Sequence, residues 1–175
     1  AMTSTTARDA APSDSMVSGL RPYESERDTA SPNRNLTPVT TGVDALGRLQ
    51  VGGIALSELA QRYGTPLYVL DEATLRGTAR AYRSALASYY PGQALALYAS
   101  KANSSLAITA VVASEGLGLD AVSAGELLTA VQGGMAPERI VFHGNNKSLE
   151  ELKLAIDLGV TVVADNWLDL EQLAL

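Results

Sequence analysis

The sequence predicts an α/β protein, a partial (β/α)8 barrel of the TIM type amounting to about its first half, and three observations carry that reading. Apolar runs of strand length alternate with amphipathic runs of helix length from residue 67 onward. Polar residues close the successive strands at Lys101, Asp120, His143 and Asp165, at intervals of 19, 23 and 22 residues, which is the beat of a strand–helix repeat. The strands themselves are almost continuously apolar, so a parallel sheet with both faces buried is expected. A closed barrel needs eight such units in about 250 residues, and roughly four or five can be counted here.

Residues 1–34 are rich in Ser, Thr, Ala, Asp and Pro without a sustained apolar period, and read as a disordered tail. Asp9, Asp14, Glu24, Glu26 and Asp28 set this tail apart from acid-poor transit peptides. Residues 35–53 carry Leu36, Val39, Val43, Leu49 and Val51 among glycines, the pattern of two short strands joined by a turn. From Ile54 to Tyr63 the apolar spacing is helical; Gly64 stops it, Thr65-Pro66 turns the chain, and residues 67–70 read as a strand.

The regular beat follows. Asp71 caps a helix to about Ser88, and residues 94–101 form the strand that delivers Lys101. Ser104 or Ser105 opens the next helix, and Gly116-Leu117-Gly118-Leu119-Asp120 leads into another strand end. Ser123 and Glu126 stand at capping-box spacing, as do Ser148 and Glu151. Residues 139–144 and 160–165 are strands, and Asn166 caps a helix expected to run to Leu175.

Composition removes several classes of function. A net charge of −6 with no basic run disfavours nucleic acid. The absence of cysteine excludes thiolate metal sites and disulfides, and the single histidine, His143, cannot build a histidine cluster, so no metal is expected. No apolar run approaches the ~20 residues of a membrane span, and a cytoplasmic location is the default expectation.

Lys101 is the candidate catalytic residue. A lysine at the C-terminal end of a barrel strand points into the shared site, and a dry barrel mouth would lower its pKa and let it attack an aldehyde to form a Schiff base. The aldehyde expected is pyridoxal 5'-phosphate. Gly116-x-Gly118 and Gly133-Gly134 precede strands and so are turns, not a dinucleotide fingerprint.

Three stretches together are more selective: Tyr98-Ala99-Ser100-Lys101-Ala102-Asn103; Glu115-Gly116-Leu117-Gly118-Leu119-Asp120 with Ser123 and Glu126; and residues 137–147, ending in His143-Gly144-Asn145-Asn146-Lys147. Over about residues 53–175 the chain resembles the diaminopimelate decarboxylases. The first stretch is shared across barrel-type pyridoxal phosphate decarboxylases, and the third points to the diaminopimelate branch. The resemblance implies that Lys101 holds the cofactor covalently and that the enzyme, a lyase, converts meso-2,6-diaminopimelate to L-lysine and carbon dioxide, the last step of lysine biosynthesis.

It also implies cofactor-binding roles for Asp120 and His143. Asp120 either lies beside the lysine and favours its protonated imine or bonds a neighbouring loop; His143 either lines the barrel mouth or is a hydrogen-bonded structural residue. Glu126 is assigned to its capping box. Asn145, Asn146 and Lys147 shape a loop, with a phosphate contact from Lys147 as the alternative.

In such enzymes the phosphate loop, the glutamate facing the pyridine nitrogen, the substrate-carboxylate arginines and a C-terminal β domain lie beyond the fourth or fifth barrel strand. The strands of residues 35–53 would pair with that β domain, and residues 54–175 would be the first half of the barrel. The resemblance further implies a homodimer. An open half-barrel would expose strand edges and apolar faces and a lone hairpin is marginal, so the segment expressed alone is expected to be insoluble, swapped or inactive. Three other readings stand beside it: a barrel-type decarboxylase for arginine, ornithine or carboxynorspermidine; a barrel that carries pyridoxal phosphate without turnover; and a nonfunctional remnant.

Overall fold

The computed structural model describes residues 36–174, so the expected tail of residues 1–34 lies outside the described residues. Two sheets are present among them: a small antiparallel one and a four-stranded parallel one.

The antiparallel sheet is made of β1 (Gly42–Val43), β2 (Leu49–Val51) and β3 (Ile54–Ala55). Asp44 closes the β1–β2 turn, its carboxylate accepting from the Leu46 and Arg48 N–H groups at 2.9 and 2.8 Å. Residues 54 and 55 thus belong to a strand and not to the helix expected there. Ala55 is the N-cap of α1 (Leu56–Tyr63), which Gly64 ends with φ +81°.

The expected strand at 67–70 does not form. Those residues pair with no strand among the described residues, and Tyr68 is 98% exposed. A strand exists only through the ladder it shares, and β4, which could have supplied one, bonds β5 alone.

α2 (Glu72–Tyr89) begins as expected at Asp71, whose side chain accepts from the Thr74 N–H. The parallel sheet follows: β4 (Leu97–Ala99), α3 (Leu106–Ser114), β5 (Gly118–Ala121), α4 (Ala124–Gln132), β6 (Ile140–Phe142), α5 (Leu149–Leu158), β7 (Thr161–Val162) and α6 (Trp167–Leu173). Strand order matches sequence order, β4-β5-β6-β7, every pair parallel. This is the start of a barrel wall, as the repeat predicts. The strands are shorter than the apolar runs, although the His143 and Val163 N–H groups just past β6 and β7 still donate to Ala121 and Phe142 on the neighbouring strands. α6 likewise stops at Leu173 with Ala174 as C-cap.

One face of the sheet is covered. Leu119, Ala121, Ile140 and Phe142 lie under the helices against Val112, Leu127, Ala130, Leu152 and Ala155. The other face, carrying Ala99, Asp120 and Val141 in register, is only partly buried. The expectation of two buried faces therefore holds for one face among the described residues; the second is the concave side that a closed barrel fills with side chains from its other strands. Gly118 is required by packing: a Cβ there would stand 2.5 Å from the Arg139 carbonyl oxygen and 2.6 Å from Leu97 Cδ2.

Candidate active site

The motif around Lys101 builds a turn, and each of its polar residues has a task in it. β4 ends at Ala99 and the chain tightens into a 3-10 turn, Ser100–Ala102. Ser100 is buried, and its single hydroxyl proton is shared between the Asp120 carbonyl oxygen, 2.9 Å away on the neighbouring strand, and the Glu126 carboxylate. Beyond the lysine, Tyr98 Oη donates to the Asn103 carbonyl at 3.2 Å, and Asn103 Oδ1 accepts from the Ser105 N–H at 3.1 Å. Burial pushes the Tyr98 phenol up, which keeps it a donor. Lys101, pinned on both sides and exposed itself, is presented outward from the strand end.

Lys101, Asp120, His143 and Asp165 line one cleft of about 490 Å³, together with Val122, Gly144, Asn145 and Asn146. The four residues predicted to end successive strands therefore do converge. The cleft is open, and Lys101 is not in the dry mouth expected for it, because only one wall of a barrel surrounds it.

Asp120 sits in β5, opposite Ala99 and Val141. Its Oδ1 is buried and accepts no hydrogen bond. His143 Nδ1 stands 3.7 Å from it, too far for a hydrogen bond. No neighbouring loop bonds this carboxylate oxygen, so that alternative for Asp120 is not realised at Oδ1. His143 follows β6 directly; its N–H donates to the Ala121 carbonyl at 2.8 Å, and its ring is half exposed at the cleft.

One expectation needs correction, at Glu126, and the alternative held open for Lys147 is not realised, its loop-shaping role being the one that forms. Glu126 completes only half of a capping box: its N–H donates to Ser123 Oγ at 3.3 Å, while its carboxylate accepts from the Val122 N–H at 2.8 Å and from Ser100. The carboxylate reaches back to the turn that carries Lys101, so Glu126 is a support of the site and not merely a helix cap. Lys147 does not offer an ammonium to a phosphate: Nζ is buried 2.7 Å from Asp169 Oδ2 and donates also to the Gly144 carbonyl. The Ser148–Glu151 box forms in full, and Glu151 takes a further bond from the Ala124 N–H at 3.0 Å.

Sequence reasoning gave no role to Ser100, Tyr98 or Asp169. The first two lie inside the quoted motif but look like ordinary strand residues. Asp169 stands at position N3 behind the Asn166 cap, a spacing that signals a helix start and nothing about Lys147.

A family model described as "Pyridoxal-dependent decarboxylase, pyridoxal binding domain" matches residues 72–175. The chain belongs to this family. Among relatives of this decarboxylase family, the diaminopimelate decarboxylase of Synechocystis is 47% identical over 151 residues, covering 82% of this chain and 32% of that protein. The diaminopimelate decarboxylase of Bacillus subtilis is 47% identical over 125 residues, covering 71% of this chain and 28% of that one. The crystal structure of diaminopimelate decarboxylase from M. jannaschii superimposes with a TM-score of 0.69 at 33% identity, over 77% of this chain and 32% of that one. The chain thus spans about a third of the length of the relatives it matches.

The cleft suits pyridoxal phosphate on its own chemistry. The chain has three lysines. Lys147 is locked in its ion pair and Lys153 lies on the exposed side of α5, so Lys101 is the one that offers an amine to the cleft. The orphaned Asp120 Oδ1 is a buried acceptor lacking a donor, a deficit that a bound cationic nitrogen would relieve.

Proposed function

We propose that this chain carries the pyridoxal phosphate site of a diaminopimelate decarboxylase, and that the complete protein converts meso-2,6-diaminopimelate to L-lysine and carbon dioxide. The observation that supports it is the convergence of Lys101, Asp120 and His143 on one cleft, in a chain whose relatives of 44–47% identity bear that name. Diaminopimelate decarboxylases from M. jannaschii and Helicobacter pylori have been crystallised with L-lysine, which agrees with the product named here.

Bound pyridoxal phosphate supplies the electron sink that accepts the pair left behind when a carboxylate departs as carbon dioxide. The protein's own share is positional and electrostatic. Lys101 would hold the cofactor through its amine, and, once free of it, its Nζ would be the basic group at the cleft rim. Asp120, with a free lone pair at Oδ1, stabilises positive charge on a nitrogen beside it. His143 presents its ring to the cleft with Nδ1 toward Asp120, and Asn145 and Asn146 line the same wall. In this reading the strands at 35–53 pair with a β domain outside this chain, and the complete protein is a cytoplasmic homodimer.

The test is made on the full-length protein loaded with pyridoxal phosphate. Carbon dioxide release from meso-2,6-diaminopimelate is expected, and release from ornithine or arginine instead would replace the substrate assignment. Borohydride treatment followed by peptide mass analysis should place the cofactor on Lys101; finding it on another residue overturns the site.

A further inference from the structure

Lys147 and Asp169 form a buried ion pair that the reaction chemistry above does not use. Their side chains are 1% and 3% exposed, and Nζ stands 2.7 Å from Oδ2. Taking two charges out of water is expensive, and an apolar pair of similar volume is often as stable or more so. Stability by itself is therefore a weak reason for the pair, and what else it bonds becomes informative.

Its bonds run to two different strand-end loops. On one side Lys147 Nζ donates to the Gly144 carbonyl, closing the loop that follows β6 upon itself. On the other, Asp169 Oδ2 accepts from the Asp165 N–H at 2.9 Å, in the loop that follows β7, while the Asp169 N–H donates to Asn166 Oδ1 at 2.9 Å. Hydrogen bonds from the Lys147 ammonium and from the Asp165 backbone N–H pull the Asp169 carboxyl below its ordinary range, so it stays an anion on both contacts. Gly144, Asn145 and Asn146 from the first loop and Asp165 from the second are cleft residues. Lys147 and Asp169 themselves lie behind the wall those residues form.

We propose that Lys147 and Asp169 are positioning residues: a single buried tie that fixes the loop after β6 to the loop after β7 and so sets the wall of the cleft opposite Lys101. The proposal rests on the reading of this cleft as the cofactor site. Neither residue lines the cleft, and removing the tie loosens two loops at once although they are separated by a whole helix.

The experiment uses the full-length protein, with and without pyridoxal phosphate. Lys147→Met alone strands the Asp169 carboxylate in the interior; Lys147→Met/Asp169→Leu removes both charges and returns most of the melting temperature lost by the single variant. In that double variant, amide exchange across residues 143–147 and 163–167 of the cofactor-free protein should rise about tenfold or more. Affinity for pyridoxal phosphate should weaken, and the visible circular dichroism of the bound cofactor should shrink. A second variant separates the two contacts. Asp169→Asn keeps an oxygen for the Asp165 N–H but loses the ion pair, so faster exchange is expected at 143–147 with 163–167 little changed. Parental exchange, affinity and dichroism in the double variant, or unchanged exchange at 143–147 in Asp169→Asn, overturns the proposal. Loosened loops in a protein that binds the cofactor yet releases no carbon dioxide from diaminopimelate support the tie and sink only the substrate assignment.

Discussion

At the scale of single residues, Lys101 is set apart by what its neighbours do. Ser100 is held between β5 and Glu126, and Tyr98 holds the far side of the turn, so the lysine between them has few ways to leave the cleft rim. Lys101→Arg keeps the charge and length but supplies no amine that can be deprotonated for attack, and covalent cofactor attachment should vanish as fully as in Lys101→Ala. Mass analysis after borohydride treatment decides this. Ser100→Ala leaves the Asp120 carbonyl and the Glu126 carboxylate without their shared donor inside the core. A loss of about 1–3 kcal/mol in denaturant unfolding is expected, with weaker cofactor binding as the functional echo. If cofactor affinity survives intact, the turn does not need its clamp.

Among the elements, the junction between the hairpin and α2 is the one the sequence describes least well. Asp71 was expected to cap α2 and does, but its carboxylate also accepts from the Thr40 and Thr74 hydroxyls. Thr40 Oγ1 takes the Gly52 N–H and Thr74 Oγ1 the Val39 N–H, both at 2.9 Å. One acidic residue thereby fastens the hairpin of residues 42–51 to the first helix of the barrel wall. Burial alone would raise its pKa, and the bonds from Thr40 and Thr74 outweigh that and lower it. Asp71→Ala should cost about 1–2 kcal/mol as a lost cap. It should also speed amide exchange at Val39 and Gly52, which a plain cap deletion would leave untouched.

For the whole molecule, acid is the condition that attacks the most contacts together. Glu115, at the end of α3, accepts from Arg80 and Arg76 on α2, and the two guanidinium groups hold its carboxyl at about 2, against an ordinary 4.5. A carboxyl whose folded pKa is depressed stabilises the fold above its unfolded pKa and loses that contribution as pH falls through the folded value. For Glu115 the window runs from about pH 5 down to about pH 2. Asp71, Glu151 and Asp169 are lowered too and act in the same direction. Melting temperature should therefore fall steeply below about pH 5, and Glu115→Gln should flatten the acid limb while lowering the plateau. An unchanged limb in Glu115→Gln would show that the α2–α3 contact is not ionic in solution.

The extent of what could be read in advance differs by kind of interaction. Strand–helix order, the parallel sheet, the Asp71, Ser148 and Asn166 caps, and the convergence of Lys101, Asp120, His143 and Asp165 follow from local periodicity and from the geometry of a repeating unit, both written in sequence spacing. The strand at 67–70 failed because pairing needs a neighbour, and apolar character says nothing about whether one is present. Glu126 departs from its reading as a helix cap, and Lys147 keeps its reading as a loop residue but gains a partner that spacing does not show: each has a local explanation, yet each places its charge on a residue 22 to 26 positions away. The sequence alone determined the repeat and the strand ends that bring Lys101, Asp120, His143 and Asp165 to one cleft. Only the tertiary structure decided which side chains stand behind that lysine and which face the cleft, because hydrogen-bond partners across neighbouring strands are chosen by register and close approach, quantities no spacing along the chain encodes.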